Sequence, residues 1–109
     1  MQEIIENLFS SIDKLRKTID KRYSVSVERA NAEYEYRSAL GKAMAELKVE
    51  GMAVTAVYNY ARGIDSIAKL REKRDICMAQ EDYLTELIFY YRQCIKVYEN
   101  QANAERKGL

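Results

Sequence analysis

The chain has 109 residues, 48% of them hydrophobic and 32% charged, with a formal net charge of +1. That profile fits one folded domain and excludes a disordered chain. The balance also holds in each half, with nine basic and nine acidic residues in 1–50 and nine and eight in 51–109. Bulk charge therefore does not point to nucleic acid or an anionic membrane as the partner.

Proline is absent and glycine occurs four times, too few for a turn-rich β fold. The expectation is an all-α protein of long helix, short helix and long helix, forming a hairpin in a single domain. The first helix is predicted over residues 2–50. Ile4, Leu8, Ile12, Leu15 and Ile19 recur every three or four residues, which puts them on one face. The pattern resumes at Leu40, Met44 and Leu47. Between them, Tyr23-Ser-Val-Ser-Val27 is a poorer helix-forming stretch that leaves room for a kink. Ala39 to Ala45, with Gly41, is small enough to admit a second helix at close range.

Glu50-Gly51 ends this element, because glycine adopts the left-handed conformation that closes a helix. Thr55 is read as the cap of a short helix over 55–62, with Gly63 as its stop. Asp65 or Ser66 then caps a last helix over 65–104, and 105–109 form a frayed tail. The last helix has the clearest period. Leu70, Cys77, Leu84, Tyr91 and Tyr98 are each seven apart, and Leu87, Ile88, Cys94, Ile95 and Ala102 fill the companion positions. This is a heptad seam for packing against other helices. A bare hairpin buries one stripe per helix, too little for a stable core. A homodimer or higher homo-oligomer that completes a helical bundle is therefore expected.

Histidine is absent, which removes histidine-based triads and most zinc and di-iron sites. Cys77 and Cys94 on one helix lie about 25 Å apart at ~1.5 Å per residue, too far for a disulfide. Ser11-Ile-Asp-Lys14 and Ser66-Ile-Ala-Lys69 match the Ser-x-x-Lys pattern, but the companion motifs of that chemistry are missing. No glycine-rich phosphate loop is present. No catalytic residue, metal or cofactor is expected, and the chain is read as non-enzymatic. The longest uncharged run, Gly51 to Ala61, is shorter than a membrane span, and the acidic start MQEIIEN is unlike a signal peptide. A cytoplasmic location without membrane contact follows as an expectation.

Binding features cluster in the middle of the chain. Arg62 precedes the basic run Lys69, Arg71, Lys73 and Arg74, which suits phosphates or an acidic protein surface. Asp65–Lys69 and Arg71–Asp75 have the spacing of helical ion pairs, the plainer account of the same run. Tyrosine occurs nine times, against two Phe and no Trp. Tyr58 and Tyr60 beside Arg62 combine interface-prone aromatics with a cation, and such a pair also stacks single-stranded bases.

The stretch Lys48-Val-Glu-Gly-Met-Ala-Val-Thr55, the short helix to Arg62-Gly63, and the charged helix with Arg74-Asp75-Ile76 together resemble a group of small helical proteins. These are encoded by phages and prophages of Gram-positive bacteria. In that group Glu-Gly, a hydrophobic residue, Pro and Val-Thr precede a short helix ending in Gly; here Ala53 stands at the Pro position. The resemblance covers about a third of the chain and extends loosely to Tyr98-Glu-Asn-Gln-Ala. It implies a phage context and a helix–loop–helix hairpin, and it transfers no activity or residue role. The leading expectation is a protein that binds, and in its sharper form inhibits, a bacterial host protein such as a defence effector. The alternative is an accessory nucleic-acid-binding protein of phage replication or recombination. A remote third is a secreted hairpin of the ESX type, which lacks support because the turn Val49-Glu50-Gly51 has no Trp-x-Gly.

Overall fold

The computed structural model describes residues 1–108 and contains three helices: α1 (Gln2–Val49), α2 (Val54–Gly63) and α3 (Asp65–Arg106). The all-α, long–short–long order is thus present, with no strand among the described residues. No described helix is long and apolar enough to cross a membrane.

α1 is helical without interruption through Tyr23–Val27. Val25 is 2% exposed, and its burial outweighs the modest helix propensity of its neighbours. α1 ends where Gly51 takes φ +95. The Gly51 N–H donates to the Lys48 carbonyl (3.1 Å) and Met52 N–H to the Leu47 carbonyl (3.0 Å), which satisfies carbonyls that the helix end leaves open.

Two of the expected caps are corrected. α2 starts at Val54, with Ala53 in the cap position at φ −57, ψ 133 and no side-chain cap bond. Thr55 lies inside the first turn. Gly63 is the last helical residue and has no positive φ; the turn falls on extended Ile64, at φ −62, ψ 129. Asp65 opens α3 instead of capping it, because the Ile64 carbonyl already accepts from the N–H groups of Ile67 (3.0 Å) and Ala68 (2.8 Å). α3 continues to Arg106, so Glu105 and Arg106 are helical, not frayed; Leu109 of the expected tail lies outside the described residues.

The chain divides into two compact units. One comprises Val25–Gln80 and holds most of the core: Val25, Ala32 and Tyr36 from α1, Val57 and Ala61 from α2, Ile67 and Cys77 from α3. α2 supplies Val57 and Ala61 one helical turn apart, so a single face of a ten-residue helix seals this core. Gly41 itself is exposed, with nothing within 4 Å of an added Cβ, while Ala39, Leu40, Ala43 and Met44 of the same stretch are half-buried.

The other unit pairs Met1–Ser24 with the stretch from Glu81 onward. The two helices run antiparallel: the Met1 ammonium meets Glu105 (2.9 Å), while Arg22 Nε donates to Thr85 Oγ1 (2.8 Å). The facing residues of α1 are Ile4, Leu8, Ser11, Leu15, Thr18 and Arg22, which step by four and three. Ile12 and Ile19, expected on this face, lie on its flank and are each 43% exposed. Opposite them, Leu84 is buried, and Leu87, Ile88, Tyr91, Ile95 and Tyr98 are half-buried. Among the described residues of this unit, only Ser11 and Leu84 are buried, each 9% exposed. Both cysteines are free, Cys77 buried and Cys94 half-buried.

Candidate binding cleft beside the short helix

Because Val57 and Ala61 face inward, the next residues on the same turns, Tyr58 and Arg62, fall on the flank of α2. The Arg62 guanidinium carbon lies 5.4 Å from the Tyr58 ring centre, within cation–π range. Together they form one side of a cleft of about 360 Å³ whose other walls are Glu33, Tyr36, Arg37 and Leu40 of α1 and Arg74 of α3. The α1 residues are spaced by three or four, so one helical face presents them all.

Glu33 organises the floor. Its Oε1 accepts from Arg37 Nε (2.6 Å) and its Oε2 from Arg74 Nη1 (3.3 Å). The hydrogen bond from Arg37, helped by the charge of Arg74, holds the Glu33 carboxyl below its ordinary pKa. Arg74 also pairs with Asp75 (2.9 Å) and stacks 4.8 Å from the Tyr36 ring centre. Asp75 and Glu33 hold this guanidinium above its ordinary pKa against the opposing effect of burial.

Arg62 differs from the other two arginines. Its Nε is buried without a hydrogen-bond partner among the described residues, and its ring contact is with exposed Tyr58. The cleft therefore combines two arginines paired with carboxylates of this chain and a third, Arg62, stacked on an aromatic face, with its Nε unpaired among the described residues. A carboxylate or phosphate brought to the rim would meet Arg37, whose side chain is 77% exposed, and the half-buried Arg62, whose unpaired Nε is itself buried.

The structure brings Tyr58, Arg62 and Arg74 together and disperses the other expected binding residues. Tyr60 is exposed on a separate hollow with Asn59, Gly63 and Ile64. Lys69 pairs with Asp65 (3.1 Å) and Lys73 with Glu35 (3.6 Å). Arg71 is half-buried, and Asp75, its expected partner, pairs with Arg74 instead. Leu70 of the heptad seam is half-buried beneath this run. Of the Ser-x-x-Lys pairs, Lys69 is engaged by Asp65, while buried Ser11 and exposed Lys14 lie in different environments.

Glu33, Tyr36 and Arg37 are the cleft residues that sequence reasoning missed. Their signal was present as an i,i+4 Glu–Arg pair bracketing an aromatic, but nothing local reveals that α2 and Arg74 close over it. Compared with known proteins, the chain matches no family model, no curated protein and no solved structure.

Proposed function

We propose that this protein is a non-enzymatic interaction protein of phage or prophage origin that binds a bacterial host protein through the Tyr58–Arg62 flank of α2. In its sharper form the binding inhibits the partner, a defence effector being the kind of target such a context supplies. The observation that carries the reading is the stacking of half-buried Arg62, whose Nε has no hydrogen-bond partner among the described residues, on exposed Tyr58. Tyr and Arg are the residues that dominate protein–protein hot spots. The complementary partner surface presents a carboxylate flanked by apolar groups, so that Arg62 gains an acceptor while Tyr58 is covered.

The nucleic-acid alternative rests on the basic run, and here the ion pairs weigh against it. Lys69, Lys73 and Arg74 each face a carboxylate within 4 Å, which lowers the positive potential that phosphate binding requires.

Affinity capture from bacterial lysate, with nuclease added, tests the proposal. Wild type should retain a defined protein partner, and Arg62→Glu should lose it. Loss of a hot-spot arginine costs about 2 kcal/mol or more, roughly thirtyfold in affinity. Capture of nucleic acid alone, or of a protein indifferent to Arg62→Glu, contradicts the proposal.

A further inference from the structure

The cleft beside α2 lies wholly within the Val25–Gln80 unit and takes one arginine from each helix: Arg37 from α1, Arg62 from α2 and Arg74 from α3. Among the described residues its lining holds one carboxylate, Glu33, so the lining carries two positive charges in surplus. Asp75, which pairs with Arg74 (2.9 Å) from outside the lining, lowers the surplus to one. Positive charge is thus gathered here in a chain whose net charge is only +1.

The three arginines are not equally committed. Arg74 stacks on buried Tyr36 and is bonded to both Glu33 and Asp75, which fixes it in place. Arg37 gives only its Nε to Glu33, and its side chain is 77% exposed, so the rest of its fork of donors is open to solvent. Arg62 lies over the Tyr58 ring, with its Nε unpaired among the described residues. A guanidinium stacked on a ring is held in orientation while the donors in its own plane stay available to an oxyanion. Glu33 shows how such a group is read here, with one oxygen on Arg37 and the other on Arg74.

Size and surroundings narrow the ligand. At about 360 Å³ the cleft falls at the small end of the ~300–1,000 Å³ range of small-molecule sites. Its apolar walls are Tyr36, Leu40 and the 47% exposed ring of Tyr58, surfaces that suit a flat ring. The neighbouring basic run offers no track along which a polynucleotide backbone could continue, because Lys69 and Lys73 are each paired with a carboxylate. A ligand with a single phosphate group needs no such track.

We infer that this cleft is a binding site for a nucleoside monophosphate, its phosphate shared between Arg37 and Arg62 and its base against Tyr58. A phosphate monoester carries roughly −1.5 to −2 charges at pH 7, which brings the cleft close to neutral. Its three oxygens give one acceptor to each of the two arginines and leave one for water. The site is separate in kind from the protein-binding reading, since a nucleotide is bound by the purified chain whether or not a host protein is captured through the same flank.

Isothermal titration calorimetry of the purified chain tests this with AMP, GMP, CMP and UMP, with the four phosphate-free nucleosides, and with inorganic phosphate. At least one monophosphate should bind one-to-one with Kd below about 1 mM, and its nucleoside and inorganic phosphate should each bind at least about tenfold more weakly. Arg37→Gln and Arg62→Gln should each weaken that nucleotide about tenfold or more, the loss of a charged hydrogen bond. Lys69→Gln, on the paired basic run, should stay within about twofold of wild type. Circular dichroism checks that each variant is folded; if Arg62→Gln loses helical signal, Arg62→Lys keeps the charge, removes the fork and should weaken binding similarly. The inference is overturned if no monophosphate binds below about 1 mM, if the nucleoside binds as well as its monophosphate, or if the arginine variants bind like wild type. A single-stranded oligonucleotide without a terminal phosphate that binds more tightly than all four monophosphates also overturns it.

Discussion

Val57→Ala is the most direct probe of how α2 is held. Val57 is 1% exposed and Ala61 fully buried, so the valine methyls sit where α2 meets α1 and α3. Truncation removes two methyl groups at ~0.8 kcal/mol each and leaves a small cavity, for a total of about 1.5–3 kcal/mol. In a chain near 100 residues, 1 kcal/mol shifts Tm by about 4–8 °C, so a fall of roughly 6–24 °C is expected. Thermal melting followed by circular dichroism, at fixed protein concentration, reads this shift. Val54→Ala is the internal control: Val54 begins the same helix but is 76% exposed, and its substitution should stay within about 0.5 kcal/mol of wild type. Equal shifts for the two variants, or no shift for Val57→Ala, would refute the claim that one face of α2 seals the core.

Three further outcomes follow from the same physics. Gly51→Ala forces a side chain into φ +95 and should cost about 1 kcal/mol, read by urea denaturation. Ala53→Pro meets a backbone already at φ −57 in the helix-cap position and should stabilise by about 0.4–1 kcal/mol, raising the midpoint of the same titration. Glu33 is held below its ordinary carboxylate pKa of 4.5, so it binds a proton less readily folded than unfolded. Its contribution is present above about pH 4.5 and fades as pH falls through the lower folded value. Stability measured from pH 6 to pH 3 should therefore fall less steeply in Glu33→Gln than in wild type; parallel curves would contradict the arginine clasp.

Helix number and order were legible because the chain lacks proline and carries long three-four periodicities. The seam of α3 was legible for the same reason: Cys77 and Leu84 are buried, and its other members are at least half-buried. The inner face of α1 was harder to read. Its inward positions include Ser11, Thr18 and Arg22, while Ile5, Ile12 and Ile19 lie one residue beyond them. Hydrophobicity alone merges two adjacent seams into one stripe. Cap assignment failed where backbone served instead of side chain: Ala53 opens α2 and extended Ile64 closes it by backbone conformation alone, which leaves no sequence mark comparable with Thr55 or Gly63. The cleft was half visible. Tyr58 and Arg62 are neighbours on one helix, but their apposition to Glu33, Tyr36 and Arg37 depends on how α2 folds back, a contact distant in sequence.

The binding claim is tested most directly by placing a photo-crosslinking amino acid at position 58 and illuminating the protein in bacterial lysate, with the same group at exposed Lys14 as a control. Position 58 should yield a discrete adduct with one host protein, abolished by Arg62→Glu and absent when the group sits at position 14. Adducts only with nucleic acid, adducts only between copies of this chain, or the same adducts from both positions would contradict the account.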